Sequence, residues 1–528
     1  MSQTLIEKYL EKGLLISPEL LAELDEGLLD KQLDQDSLII NAELKNALFQ
    51  NPGMNIDWHE FERSLFLLEK KGDAKIYNEF LHYLASASSL LEETTREDDP
   101  APVRILMQDT DEPHKRSVDD FISYFNTRFN YFEKLLKTRQ ELTGLTSVSR
   151  VLAKKDKDTV SVIGMIMDKA ETKNNNLILT VEDRTGKISV LIHNTKQELF
   201  TLAKDCGLDE VIGVVGTNGN KIIFAENILL PNIPLGKELR KSRQEGYVLF
   251  MGDLHVGSKY FLKGAFERFL NWIAGKAGND EQKRLASLVK YIIIVGDLVE
   301  GIGVYPSQED DLEILSMKDQ YAEFSRLIAR IPQHIKIICL PGNHDAGRIS
   351  EPQPPIYKDF AEAVWQLPNV IMLGNPCLIN IDARLGFPGF DILLYHGYSL
   401  IYYAETVPSI KEAGGQKRVD LVMRHLLQRR HLSPSHSSNL YVPYPHKDSL
   451  IIDRIPDFFI TGHVHRLSVA NYRAVTLINC SCWTGITEDQ EKRGLEPQPG
   501  KLPLVNLQTR EIKVMNFLTK EEEKEAEV

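Results

Sequence analysis

The chain has 528 residues, 42% of them hydrophobic and 26% charged, and carries a formal net charge of −13. That length accommodates about three or four domains with core enough to fold without crosslinks. The acidic balance argues against a protein that grips long nucleic acid by itself, because neutralising phosphates takes clustered Lys and Arg. MSQTLIEKYLEKG lacks the basic-then-apolar order of a secretion signal, and no run reaches the ~18 apolar residues of a membrane span. Cys206, Cys339, Cys377, Cys480 and Cys482 are scattered and odd in number, as expected in a reducing cytoplasm.

Residues 1–95 are predicted to form a small helical module, on the apolar spacing of LIEKYLEKGLLI, FERSLFLLEKKG and FLHYLASASSLLEE. Residues 96–117 are polar and proline-bearing and read as a linker. Ser117 and Asp120 then form an S-x-x-D cap for a helix within 118–145, whose stripe of Phe121, Tyr124, Phe125, Phe129, Phe132 and Leu136 has the spacing of core packing. Residues 146–235 hold five β runs with a helix between the third and fourth, the order of an OB-fold barrel. Single-strand binding by such a barrel needs stacking aromatics and a basic groove. Between Val151 and Pro234 the only aromatics are Phe200 and Phe224, so this barrel is expected to dock protein instead. Residues 246–517 alternate apolar β runs with helical stretches, and 518–528 read as a charged, disordered tail. The expected whole is a multidomain α+β chain.

The chemistry concentrates in 246–517. Asp253-Leu-His255, Gly296-Asp297, Gly342-Asn343-His344-Asp345, His396-Gly397 and Gly462-His463-Val464-His465 occur in that order, each after a β run. Ligand sites of α/β folds lie at such carboxyl ends of strands. Imidazoles, carboxylates and one amide oxygen, with no thiolate, suit a pair of first-row divalent metals. Asp253, His255, Asp297 and His465 can make one site; Asp297, Asn343, His396 and His463 can make the other, with Asp297 bridging. Two such ions roughly 3.5–4 Å apart suit in-line displacement at phosphorus. His344, outside the ligand set, is the candidate proton donor to the leaving oxygen, and Asp345 the candidate to orient it. Lys417, Arg418, Arg424, Arg429 and Arg430 lie on an expected helix between His396 and the GHVH turn. They can steer a DNA strand by its phosphates or simply form a solvated face. His425, His431, His436 and His446 fit no ligand spacing and read as surface or supporting residues. Cys480 and Cys482 read as buried strand residues rather than zinc ligands.

These motifs resemble those of the calcineurin-like metallophosphoesterases, over Asp253 to His465. Within that superfamily the chain resembles the small subunits of archaeal family D DNA polymerases. The closer match rests on the barrel directly before the phosphoesterase segment, on the phrase GDLVEGIGVYP around Asp297, and on RHLLQRRHLSP and PDFFITGHVH. It implies a C-terminal α/β phosphoesterase domain, a β-sandwich flanked by helices, and a 3′→5′ exonuclease that proofreads beside a large catalytic polymerase subunit. It also implies two divalent ions, manganese foremost with iron, zinc or magnesium as alternatives. The implied substrate is single-stranded DNA or a primer 3′ end, the implied location the cytoplasm at the nucleoid, with no membrane. Double-strand-break-repair nucleases share the core. The B-subunits of eukaryotic replicative polymerases resemble it but have lost ligands that are all present here. A structural scaffold and a metallophosphatase or phosphodiesterase are the alternative readings.

Overall fold

The computed structural model describes residues 15–16, 39–40, 101–109, 115–154, 157–487, 491 and 496–526, with side chains from Ala101 as far as Glu523. The chain divides into two units, Met1–Pro102 with Ala383–Pro388, and Val103–Asp382 with Gly389–Val528. In the first, β1 (Leu15–Ile16) and β2 (Ile39–Ile40) pair in parallel. The helical module expected over 1–95 lies otherwise outside the described residues, and these two dipeptides are strand rather than helix.

The second unit begins inside the expected linker. Val103–Met107 is a strand, β3, paired antiparallel with Cys377–Ile381. A short apolar run with a β-branched residue adds to an open sheet edge more readily than it stays solvated, which the surrounding charge had masked. Helix α1 (Val118–Leu136) follows, with the expected capping box of Ser117 and Asp120, and ends short of 145. Most of its stripe is core: Tyr124, Phe129, Phe132 and Leu136 are buried, Phe125 is half-buried and Phe121 is exposed.

The barrel comprises β4 (Thr159–Glu171), β5 (Leu177–Asp183), β6 (Gly186–Ile192), β7 (Val211–Asn218) and β8 (Ile222–Leu229), closed in the order β4-β5-β6-β8-β7. Helix α2 (Gln197–Lys204) falls between β6 and β7, where the pattern placed it. Alternation of buried and partly buried residues along β5 and β6 gives the period of two expected of a strand with one face in the core.

Two six-stranded sheets make up the rest. The first contains β9 (Tyr247–Met251), β10 (Val289–Val295), β11 (Lys336–Leu340) and β12 (Val370–Met372) in parallel, with β18 (Lys501–Asn506) and β19 (Ile512–Asn516) antiparallel beyond β9. The second has the order β16-β17-β15-β14-β13-β3, where β13 is Cys377–Ile381, β14 Phe390–Tyr395, β15 Phe458–Thr461, β16 Ser468–Tyr472 and β17 Val475–Asn479. Phe250 of β9 meets Phe458 of β15 at 6.0 Å between ring centroids, so the sheets face each other. Phe266, Phe269, Trp272, Tyr321 and Phe324 from covering helices bury the outer face of the first sheet. Strands covered on both faces read as continuous apolar runs, which is the character of YIIIV.

Register positions the chemistry. Ile294 pairs with Met251, Val295 with Leu340, and Tyr395 with Thr461, so within each sheet neighbouring strands end level. The turns that follow therefore stand side by side.

The charged C-terminus departs from expectation. Lys520–Ala526 is a helix rather than a disordered tail. Thr519 and Glu522 close a reciprocal cap, with Thr519 N–H donating to Glu522 Oε2 at 2.6 Å and Glu522 N–H donating to Thr519 Oγ1 at 3.2 Å. Arg268 pairs with Glu522 and ties the helix down.

Candidate metal centre

The five turns bring all seven predicted ligands together. Three groups of side chains offer donor atoms within 4.8 Å of one another: Asp253, His255 and His465; His255, Asp297 and His344; and Asp297, His396 and His463. Asn343 Oδ1 lies 3.0 Å from His396 Nε2. Asp297 belongs to two groups, the place a bridging carboxylate must occupy, and its Oδ2 lies 3.4 Å from His396 Nε2 and 3.8 Å from His255 Nε2.

Backbone conformation explains why these residues stand at turns. Asp253, His255, Asp297, His463 and His465 have φ of 53°, 53°, 50°, 69° and 55°. Non-glycine residues held there cost of order 1–3 kcal/mol each and persist only where surrounding structure enforces them. Two glycines permit the convergence. Gly296 has a φ of 82°, and a Cβ on it would lie 2.8 Å from His396 Cγ. A Cβ on Gly342 would overlap Asp297 Oδ1 and lie 2.7 Å from His396 Cε1. Gly342→Ala is therefore expected to displace Asp297 and His396 and to weaken Mn²⁺ binding at least about 10-fold. Calorimetric titration beside a near-unchanged circular dichroism spectrum checks it; wild-type affinity would refute the packing argument.

Hydrogen bonds fix which ring nitrogens carry protons. A carbonyl only accepts, so His396 Nδ1 donates to Val295 O at 2.9 Å; Nε2–H of the charged ring donates to Asn343 Oδ1 at 3.0 Å, and this nitrogen is the one that offers a lone pair once its proton is lost. His255 Nδ1 donates to Glu300 Oε2 at 2.9 Å, and its Nε2 lies 3.1 Å from His465 Nε2. Two ring nitrogens that close require a proton or another cation between them. Imidazoles oriented through the far ring nitrogen by a carboxylate or carbonyl are the usual arrangement of metal-bound histidine. The donor set thus fits divalent ions.

Electrostatics agree with a site prepared for positive charge. Burial alone would raise Asp297, but the charges of His396 and His344 outweigh it and hold the carboxyl well below its usual range. Burial works downward on His396, yet the Asp297 carboxylate lifts it to about 10. A cation entering here displaces that proton. Burial and the His396 charge push His463 down to about 3, keeping its ring neutral and its lone pair available.

Three expectations are corrected. Asp345 does not touch His344: its Oδ2 accepts from Gly342 N–H at 2.9 Å and Leu298 N–H at 3.1 Å, and its Oδ1 from Tyr321 Oη at 2.8 Å. It braces one ligand turn against another. Burial and then the Asp297 charge raise it to about 7. Arg429 and Arg430 are buried and turned away from any strand of DNA: Arg429 Nε donates to Glu210 Oε1 at 2.9 Å, and Arg430 Nε to Ile452 O at 2.7 Å. The expected helix is also broken, with helix α3 (Val419–Arg429) preceded by a glycine turn and a short 3-10 segment at Gly415–Arg418. Lys417, Arg418 and Arg424 are exposed, the first two paired with Glu496 and Asp420. Of the four nearby histidines expected to be surface or supporting residues, His436 and His446 are exposed and His425 and His431 are buried. His431 Nε2 donates to Asp448 Oδ2 at 2.9 Å, in the joint between α1 and the C-terminal sheets. All the cysteines are free and buried, Cys480 and Cys482 included.

Sequence reasoning assigned no role to Glu300, which is 3% exposed. Its carboxylate holds His255 and its carbonyl accepts from His344 Nδ1 at 2.7 Å. The only signal was a carboxylate inside an apolar turn three residues after Asp297. Tyr398, 5.5 Å from the His463 ring centroid, was missed as well.

Residues 248–469 match the family model of the DNA polymerase alpha/epsilon B-subunits. The DNA polymerase II small subunit of Methanothermobacter thermautotrophicus is 38% identical over 389 residues, which cover 74% of this chain and 78% of that protein. The chain belongs to the DNA polymerase II small-subunit family. Another member, from Archaeoglobus fulgidus, is 36% identical over 73% of this chain and 75% of its own length. The Methanocaldococcus jannaschii member is 35% identical over 74% of this chain but only 64% of its own length. Membership makes the chain a subunit of a replicative DNA polymerase, and the ligand turns lie within the residues that the family model spans, 248–469. Among the described residues, no helix is long and apolar enough to cross a membrane.

Proposed function

We propose that this chain is a metal-dependent 3′→5′ exonuclease that edits primer ends beside a large catalytic polymerase subunit, for which it also serves as scaffold. The convergence of Asp253, His255, Asn343, His396, His463 and His465 around the Asp297 carboxylate, which two donor groups share, carries the reading. Those residues would hold two divalent ions, Mn²⁺ foremost. When bound, the ions supply an activated water and stabilise charge on the phosphoryl oxygens.

The chain's own residues do the rest. His344 has its Nδ1 committed to Glu300 O, so its Nε2 donates only from the imidazolium. Burial lowers this imidazole, so the ring rests neutral and must take up a proton at Nε2 before passing it to the departing 3′ oxygen. The ring lies edge-on to His255 at 4.6 Å between centroids, which holds it beside the ligand groups. Lys417, Arg418 and Arg424 are the candidate phosphate contacts. Exposed ion pairs are worth only about 0–1 kcal/mol, so those of Lys417 and Arg418 exchange easily for DNA.

Strands labelled at the 3′ or the 5′ end test the polarity. With Mn²⁺, mononucleotides are expected from the 3′ end, and His396→Ala is expected to stop their release. Hydrolysis of p-nitrophenyl phosphate without hydrolysis of DNA would favour the phosphatase reading. Absence of a large catalytic partner in pull-downs would remove the scaffold role alone.

A further inference from the structure

Glu300 stands between the two halves of the chemistry. Its Oε2 accepts from His255 Nδ1 at 2.9 Å, and its main-chain oxygen accepts from His344 Nδ1 at 2.7 Å. Neither acceptor can give a proton back, so both rings are fixed with Nδ1–H inward and Nε2 outward. The residue is itself immobilised. Gln308, fully buried, donates from Nε2 to Glu300 Oε1 and to Glu300 O, both at 2.9 Å, and Tyr305 Oη donates to Glu300 Oε1 at 3.2 Å. Gln320, also fully buried, accepts from the next residue, Gly301 N–H, at 2.8 Å. Such restraint exceeds what a turn needs for its own backbone.

We infer that Glu300 is a positioning residue that sets one metal site apart from the other. Its carboxylate holds the His255 ligand, while its carbonyl aligns His344. The other site depends on His396, whose Nδ1 is held by the Val295 carbonyl and not by a carboxylate. The two sites therefore differ in what stands behind their histidines. A carboxylate behind an imidazole makes it a stronger donor than a carbonyl does, and removing such a partner typically costs 10–100-fold in metal affinity.

This inference rests on the metal-centre reading but not on the substrate. Glu300→Gln is nearly isosteric and keeps an acceptor for His255, and the main-chain carbonyl to His344 is untouched. Calorimetric titration of the full-length metal-free protein with Mn²⁺ alone is expected to resolve two sites. In Glu300→Gln, one site should weaken 10–100-fold and the other stay within about twofold. In a His255→Ala background the same substitution should add nothing further, because the ligand it acts through is gone. The thermal midpoint of the metal-free Glu300→Gln protein separates selective loss from misfolding. Equal weakening of both sites, or none, would overturn the inference, as would an additive effect in the double variant. A selective loss in a protein that never hydrolyses DNA would leave this inference standing and sink the nuclease reading.

Discussion

Asp297→Asn is expected to remove metal-dependent hydrolysis, lowering turnover by about a thousand-fold or more. The carboxylate is 1% exposed and shared by two of the three donor groups, so its loss weakens both sites at once. Asn fills the same volume and tolerates the φ of 50°, so the fold should survive. What disappears is a negative charge in a buried cleft, and an amide hydrogen takes the place of a lone pair facing His255 or His396. Several kcal/mol of charge stabilisation, at ~1.36 kcal/mol per decade of rate, gives that magnitude. The check needs no substrate. Mn²⁺ at ~100 times its dissociation constant should stabilise the wild-type protein by about 2.7 kcal/mol and the variant hardly at all, and a chelator should reverse the gain. A variant that keeps the Mn²⁺-dependent stabilisation would refute the bridging role.

The centre was legible because turn chemistry is local. An apolar run, a glycine and a His or Asp define a strand-to-turn boundary, and side chains from strands that end level have little choice but to converge. Orientation inside a turn is another matter. Asp345 follows His344 directly, yet its carboxylate faces the backbone amides of Gly342 and Leu298, a geometry that spacing does not encode. Arg429 was recoverable. It stands seven residues after Val422 and three after Leu426, both fully buried, and so shares their apolar helix face rather than that of exposed Arg424. Positive charge drew the eye where helical period should have decided. The terminal helix likewise carried a T-x-x-E cap at Thr519 and Glu522 beneath a composition that reads as disorder. The barrel was readable through strand order alone.

Breaking the joint between α1 and the C-terminal sheets is expected to be the costliest change away from the metals. Arg128 Nε donates to Asp448 Oδ2 at 2.7 Å, Tyr124 Oη to Asp448 Oδ1 at 2.7 Å, and both members of the ion pair are buried. Asp448→Asn leaves Arg128 charged, buried and without its anion, a loss of about 3–5 kcal/mol. The pH dependence has a definite sign. Burial raises Asp448, but His431 and Arg128 outweigh it and hold the carboxyl far below its usual range. Its contribution is thus present above the unfolded value of about 3.9 and lost as pH falls below it. His431 Nδ1 accepts from Ser433 N–H at 2.9 Å, so the neutral ring is satisfied at both nitrogens. Burial and the Arg128 charge lower it to about 4, so its contribution is complete above about 6.5 and falls away toward pH 4. The urea midpoint of the wild-type protein should fall towards that of a His431→Gln variant as pH drops from 6.5 to 4, a comparison that cancels the opposite contribution of the raised Asp345 carboxyl. At pH 7, Asp448→Asn should unfold at lower urea while binding Mn²⁺ with wild-type affinity, the reverse of Asp297→Asn. A midpoint equal to the wild type would mean that this joint does not hold α1, and a loss of Mn²⁺ affinity would mean that the joint and the metal centre are not separable.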